Sequence, residues 1–355
     1  MITGYVSVTE LSAFDYALPA DRIAQEPAAT RDGSWLLVLC RRTGRRAHAR
    51  FQEIGAWLEA GDLLVVNDTR VLPARVAARR RTGARLDMVL VREVAPGRWS
   101  ALVQGARRVK SGETVLAGGG GQAVVLRRRP DPDAPWEVDF GGAPVAEFLA
   151  REGRAPLPPY IARDAVQDAR DGLDRERYQT VFARRPGAIA APTAGLHFTS
   201  ALLEALAARG VERTTVTLHV GPGTFLPVRC ARLEDHRMHA ELFEVSVAAV
   251  AAVERARARG GRVIPVGTTS LRALEAAADP AGRLAPARGW TDLFVRPGYA
   301  FRVADGLITN FHLPRSTLLL LVSALAGAEL IREAYAEAIA MNYRFYSYGD
   351  AMLIL

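Results

Sequence analysis

Apolar positions along the chain fall into two rhythms. Between residues 62 and 140, short β-type runs at 62–66, 86–94, 99–103, 122–126 and 136–140 are separated by turn signals such as Pro96-Gly97 and the glycines 118–121. Runs of this length and spacing predict a small antiparallel barrel. The glycine run is followed by neither a Lys-Ser/Thr pair nor a helix, so it reads as a turn and not as a phosphate loop.

From residue 143 the rhythm lengthens. Helices are expected over 145–152, 175–184 and 200–208, the last stopped by Gly210, and a strand over 213–220. Ser246 caps a helix from 247 to 259 that Gly260-Gly261 ends; strand 262–267 leads to helix 270–278, strands 292–295 and 307–311, and helices 317–326 and 329–341. Alternating β and α elements predict an α/β domain with a largely parallel sheet. Residues 1–60 join it, with 15–39 reading as helical then extended. The expected organisation is therefore 1–61 and 143–355 as the α/β domain, with 62–142 as an inserted barrel.

Composition adds little until the charge is located. With 355 residues, 49% hydrophobic and 24% charged, the chain matches an ordinary globular protein of two domains. No basic and apolar leader opens it, and its longest apolar run, 318–328, is shorter than the ~20 residues a membrane span needs. Cys40 and Cys230 form no metal-like spacing. These features predict a reduced, cytoplasmic enzyme or binding protein. The net charge is +8, but residues 70–129 hold 14 basic against 3 acidic side chains, a local +11. That segment, including Arg79, Arg80, Arg81, Arg107, Arg108 and Lys110, is expected to face a polyanion, most simply RNA.

Ligands of open α/β sheets lie beyond the carboxyl ends of the strands. Polar, glycine-containing loops fall just there: Thr193 to Thr199 with His197, His219 to Phe225, Gly267-Thr268-Thr269-Ser270, and Asn310 to Arg315 with His312. In the last loop a proline introduces a helix capped by Ser316 or Thr317, whose free N–H groups favour anions. Asn67-Asp68-Thr69-Arg70 follows a strong strand and is either a turn or a polar contact at the domain junction. His48 reads as a surface residue. His236 and His239 suit a metal, an acid–base or substrate-orienting role or a structural one, and no third region supplies an evident ligand. No dinucleotide fingerprint, P-loop or serine-hydrolase elbow is present. The residues alone give an α/β enzyme with a histidine-lined pocket and a basic β domain, not a reaction.

Longer motifs carry a resemblance. Phe14 to Pro19, Ile23 to Pro27, Asn67 to Arg75, Tyr178 to Phe182, Ala191 to Thr199, Leu218 to Gly221, Gly223 to Phe225, His236 to His239, Val266 to Ser270, the Asn310 loop and Tyr343 to Met352 run in order along almost the whole chain. In these the sequence resembles the S-adenosylmethionine:tRNA ribosyltransferase-isomerase family of queuosine biosynthesis. The resemblance implies an α/β domain with an inserted barrel. It also implies transfer of the ribosyl moiety of S-adenosylmethionine to 7-aminomethyl-7-deazaguanine at the tRNA wobble position. Rearrangement then gives epoxyqueuosine, and adenine and methionine leave. S-adenosylmethionine is consumed as a co-substrate, with no resident cofactor or metal. On that basis His197, His219 and His312 are expected to include the acid and base, since an unperturbed imidazole titrates near 6.5. Asp68, Arg70, Thr193, Thr268, Thr269, Ser270, Asn310 and Arg315 are the expected substrate-binding residues. Trp35 stands where the family usually has arginine, and Leu226 where a polar residue is common; Pro222 stiffens its loop. An S-adenosylmethionine-dependent RNA methyltransferase and a non-catalytic RNA-binding module are the alternatives; the former should carry a glycine-rich turn after an early strand, and none is found.

Overall fold

The computed structural model describes residues 10–131, 134–164, 168–221, 223, 230 and 232–355. In chain order the strands are β1 Trp35–Leu39, β2 Arg46–Arg50, β3 Leu63–Asn67, β4 Thr69–Val71, β5 Arg75–Arg80, β6 Arg85–Ala95, β7 Arg98–Gln104, β8 Glu113–Ala117, β9 Gln122–Arg128, β10 Trp136–Asp139, β11 Arg185–Ala188, β12 Glu212–Leu218, β13 Glu241–Val245, β14 Val263–Val266, β15 Ala287–Thr291, β16 Leu307–Asn310 and β17 Ala351–Ile354. The helices are α1 Val145–Glu152, α2 Asp171–Arg177, α3 Ser200–Ala208, α4 Val247–Ala258, α5 Thr268–Ala277, α6 Thr317–Ala326 and α7 Ala328–Ala340.

Nine strands form one sheet in the order β15-β13-β12-β3-β14-β16-β17-β1-β2. Its centre, β12-β3-β14-β16, is parallel, and antiparallel pairs finish both edges. β3 explains the layering. Its Leu-Leu-Val-Val run is buried along its whole length, as a strand covered on both faces should be. Side chains alternate across a strand, so Leu63 and Val65 pack with α4 and α5, while Leu64 and Val66 pack with α3, Phe51 and Phe198. α6 and α7 cover the sheet beyond β16, against Leu37, Leu39 and Met352. Truncating a fully buried leucine such as Leu64 to alanine costs about 2–5 kcal/mol.

β5 to β10 close a barrel in the order β10-β7-β6-β5-β8-β9, every pairing antiparallel. Packing differs from the expected 62–142 insertion at both ends. Leu63–Asn67, expected within the inserted barrel, is central to the large sheet. Conversely Val145, Phe148 and Leu149 of α1 pack into the barrel's own apolar cluster. Smaller corrections follow. The helix expected at 175–184 is α2, seven residues earlier in its end; the strand expected at 292–295 is β15; and β17, unforeseen, inserts between β16 and β1. His48 is partly covered rather than free at the surface: its Nδ1 lies 2.7 Å from the Tyr343 hydroxyl and its Nε2 2.8 Å from Glu337.

Candidate active site

Because the four central strands are parallel, their carboxyl ends bring Asn67, Leu218, Val266 and Asn310 to one edge. A small pocket of about 60 Å³ opens there, lined by Thr193, Thr268, Thr269, Asn310, His312 and Tyr346 among others. Gly267 takes φ 87°, a conformation natural to glycine, and turns β14 directly into α5. The first N–H groups of α5 thus face the pocket without a side-chain cap, an arrangement that favours an anion.

Asn310 is the centre of the pocket's polar network. It is 2% exposed. Its Nδ2 donates to the Tyr346 carbonyl and to His197 Nε2, both at 3.1 Å. A carbonyl can only accept, so the amide orientation is set, and His197 Nε2 must be an acceptor. The opposite atom, Oδ1, is buried with no partner among the described residues. A buried acceptor left open in a pocket is suited to an N–H or O–H of a ligand. His197 completes the network through Nδ1, 2.8 Å from Ser34 Oγ. Tyr346 holds φ 73°, rare for a residue with a Cβ and costing of order 1–3 kcal/mol. Its N–H to the Phe311 carbonyl, 3.1 Å, and its own carbonyl on Asn310 keep it there. The Tyr160 ring stands 4.8 Å from the Tyr346 ring, so the same pocket has an aromatic wall.

His197 and His312 lie well below the ordinary imidazole range. Burial pushes His197 down to about 3, with the nearby Arg344 cation adding to the effect, and burial alone pushes His312 to about 3. Both are neutral imidazoles at neutral pH. His312 lies in the pocket with Nε2 2.8 Å from Thr309 Oγ1; its backbone carbonyl accepts the Tyr16 hydroxyl and its N–H donates to Tyr335. His197 is one layer behind, acting on Asn310.

His219 sits in a neighbouring cleft of about 510 Å³ between barrel and sheet, where Trp99, Gly187, His239 and Trp290 also line the wall. Val220 lines both cavities, so the two adjoin. The Nδ1 of His219 is 2.7 Å from Thr69 Oγ1, leaving its Nε2 without a partner among the described residues. Gly187 makes the room: a Cβ there would fall 2.7 Å from the imidazole. Burial lowers the His219 pKa, while the Asp68 carboxylate pulls it back up.

Several expected residues are elsewhere. Ser270 spends its hydroxyl on the Val266 carbonyl, 2.8 Å away, inside the first turn of α5. Arg315, at φ 54°, is carried outward to an exposed ion pair with Asp15. Asp68 is buried, accepting from Thr217 Oγ1 at 2.6 Å and Arg184 at 2.9 Å, and so anchors strands rather than substrate. Arg70 points to solvent from β4. Of the expected RNA contacts, Arg79, Arg81, Arg107, Arg108 and Lys110 are exposed. The 106–108 turn lies beside Arg85, whose carbonyl would be 2.9 Å from a Cβ on Gly105, so this basic cluster gathers at one end of the barrel. Arg80 is the exception, held in a two-point ion pair with Glu113 at 2.6 and 3.0 Å. Residues missed by sequence reasoning are Ser34, Tyr160, Thr309 and Tyr346. Asn67, expected as a turn or a polar contact at the domain junction, uses its amide to bridge Leu218 and Thr269. Trp35 holds the Arg50 guanidinium 3.7 Å over its ring. Pro222 and Leu226 lie outside the described residues. Among the described residues no group of three acidic, thiol or imidazole side chains could hold a metal.

A buried pocket at the carboxyl edge of the sheet's parallel centre, beside a barrel with a basic end, is the architecture of an α/β enzyme with an inserted barrel. The chain belongs to the queuosine biosynthesis protein family, whose profile matches residues 11–354. It is 51% identical over 344 residues to the S-adenosylmethionine:tRNA ribosyltransferase-isomerase of Pelobacter propionicus, covering 96% of this chain and 98% of that one. The enzyme of the same name from an Anaeromyxobacter species is 52% identical over 97% of this chain and 98% of its own length. The crystal structure of S-adenosylmethionine tRNA ribosyltransferase from Thermotoga maritima aligns with TM-score 0.54 at 36% identity, over 97% of this chain and all of that chain.

Proposed function

We infer that this protein is an S-adenosylmethionine:tRNA ribosyltransferase-isomerase, and that its acceptor is tRNA bearing 7-aminomethyl-7-deazaguanine at the wobble position. The observation that carries the reading is the pair of adjoining cavities. One is buried and anion-receptive, with hydrogen-bonding groups set in a largely apolar lining; the other is large enough for a nucleoside and lies against the barrel. Among the described residues no helix is long and apolar enough to cross a membrane.

In this reading the donor's polar groups enter the Asn310 pocket. The methionine carboxylate meets the start of α5, with Thr193, Thr268 and Thr269 offering hydroxyls. Adenine lies against Tyr160 and Tyr346, and Asn310 Oδ1 accepts an N–H from the donor. At about 60 Å³ the pocket holds only a few waters, so the aromatic wall must yield as the donor enters. The acceptor base occupies the larger cleft, where His219 Nε2 faces the incoming amine. In the tautomer whose Nδ1–H donates to Thr69 Oγ1, Nε2 presents a lone pair. A lowered pKa keeps that lone pair free at neutral pH, so His219 takes the proton the amine loses as its nitrogen bonds to the ribosyl carbon. As the sugar rearranges, C5′ also gives up a proton and the bonds from C1′ to adenine N9 and from C5′ to the sulfonium sulfur break; adenine leaves carrying one of the two released protons, and methionine leaves as a neutral thioether. His312, neutral and next to Asn310, is the second proton-handling group.

The test is mass spectrometry of the anticodon nucleoside, with released base followed by chromatography, after incubating protein, S-adenosylmethionine and the aminomethyl-deazaguanine tRNA. An epoxycyclopentanediol adduct with free adenine is expected. A methylated product, or no product from folded protein, would overturn the assignment.

A further inference from the structure

Trp290 projects from edge strand β15 with 54% of its surface exposed. An indole is among the most apolar surfaces a protein can leave in water, and this one is already met by a cation. The guanidinium of Arg92, from barrel strand β6, lies over its ring 5.0 Å from the centroid. The pair therefore joins barrel to sheet edge, and both residues line the cleft that holds His219.

Two further observations say what the cleft would take. Trp99, on β7, also lines it, and its indole Nε1 is buried with no acceptor among the described residues. A buried donor without a partner is costly unless a ligand supplies the acceptor. The carboxylates in the wall, by contrast, are occupied. Glu93 accepts the Gly97 N–H at 3.1 Å. Glu241 accepts the Gly221 N–H at 3.0 Å and pairs with Arg272, and Asp131 is engaged within the protein. What remains for a ligand is a flat aromatic face with a cation on it, and an open N–H donor. A planar, acceptor-bearing group attached to a negative backbone matches these three features: an unpaired nucleotide. A base inside a duplex has no free face to stack.

We propose that the Arg92–Trp290 pair is a stacking platform for an unpaired RNA base flanking the reacting nucleotide, an inference that rests on the ribosyl-transfer reading above. The base lies on the exposed indole face, and Arg92 supplies positive charge to the adjoining backbone. β6 then leads from Arg92 to Arg85, about 23 Å away at strand rise, where the basic end of the barrel can follow the same RNA.

The test measures binding of an anticodon stem-loop RNA carrying the aminomethyl-deazaguanine base to wild type, Trp290→Ala, Trp290→Phe and Arg92→Gln. S-adenosylmethionine binding is titrated in parallel, and KM for the RNA is measured. Base–aromatic stacking of about 1–3 kcal/mol corresponds to about 5- to 150-fold in affinity. Trp290→Ala is expected to lose affinity in that range and to raise KM for RNA. Trp290→Phe should recover most of it, and Arg92→Gln should fall between. Donor affinity should not move. Equal RNA affinity in all four proteins, with wild type turning over, overturns the platform and leaves the reaction standing. A wild type that neither binds nor modifies this RNA overturns both. A loss in Trp290→Ala that phenylalanine does not relieve also counts against stacking.

Discussion

The two cavities that meet at Val220 are built on opposite terms. The Asn310 pocket is made within one body, from strand ends and a helix start, with side chains almost wholly withdrawn from water and locked by hydrogen bonds. The His219 cleft is made between two bodies, with half-exposed aromatics, a cation shared across the gap and an open imidazole nitrogen. Buried, directed acceptors suit a small molecule whose every polar group must be matched. An open aromatic and cationic wall suits a large partner recognised by surface. The comparison teaches that chemistry and recognition here reside in different kinds of structure, which substitutions should separate.

The largest expected effect is at the junction. His219→Asn removes the base and should lower kcat by about 10²–10⁴-fold, with the pH dependence of the remaining rate flattened where the imidazole titrates. Asn310→Ala should follow, at about 10²–10³-fold in turnover with weakened donor binding. It deletes the open acceptor and also strips His197 Nε2 and the Tyr346 carbonyl of their donor.

Acid should distinguish the two regions next. His197 and His312 are held near 3 in the folded protein and rise to about 6.5 when unfolded. Between these values the unfolded chain binds more protons, so their contribution is complete above about 6.5 and is lost as pH falls toward 3. Each removes up to about 1.4 kcal/mol of stability per pH unit in that window. Denaturant melts from pH 7 to pH 5 should show the loss, and His312→Gln should reduce its slope. The smallest effects belong to the barrel. Reversing Arg79, Arg81, Arg107 and Arg108 to glutamate should weaken RNA binding and flatten its salt dependence, each true phosphate contact removing about 0.7–0.9 from the slope. Reversing Arg80 should act on the barrel through Glu113 more than on RNA.

Much of this was visible in the chain itself. Strand ends followed by glycine and hydroxyl residues marked Thr193, Thr268, Thr269, Asn310 and His312, because a parallel sheet gathers its carboxyl ends whatever its loops contain. Distance along the chain hid the rest. Ser34 meets His197 across 163 residues, and Tyr160 meets Tyr346 only once the fold is closed. Residue type does not say where a side chain turns at a helix start or in a left-handed backbone, so the sequence does not reveal that Ser270 bonds the Val266 carbonyl or that Arg315 pairs with Asp15. The imidazole pKa values depend on burial, which no local pattern reports. β3 lies next in sequence to the barrel strands but belongs to the large sheet, as its unbroken apolar run, covered on both faces, requires.

The most direct test sets the two cavities against each other. Donor and RNA affinities are titrated separately on Asn310→Ala and Trp290→Ala. The account predicts that Asn310→Ala loses the donor and keeps the RNA, while Trp290→Ala keeps the donor and loses the RNA. Parallel losses of both ligands in both proteins would contradict it, since they would mean a single undivided site.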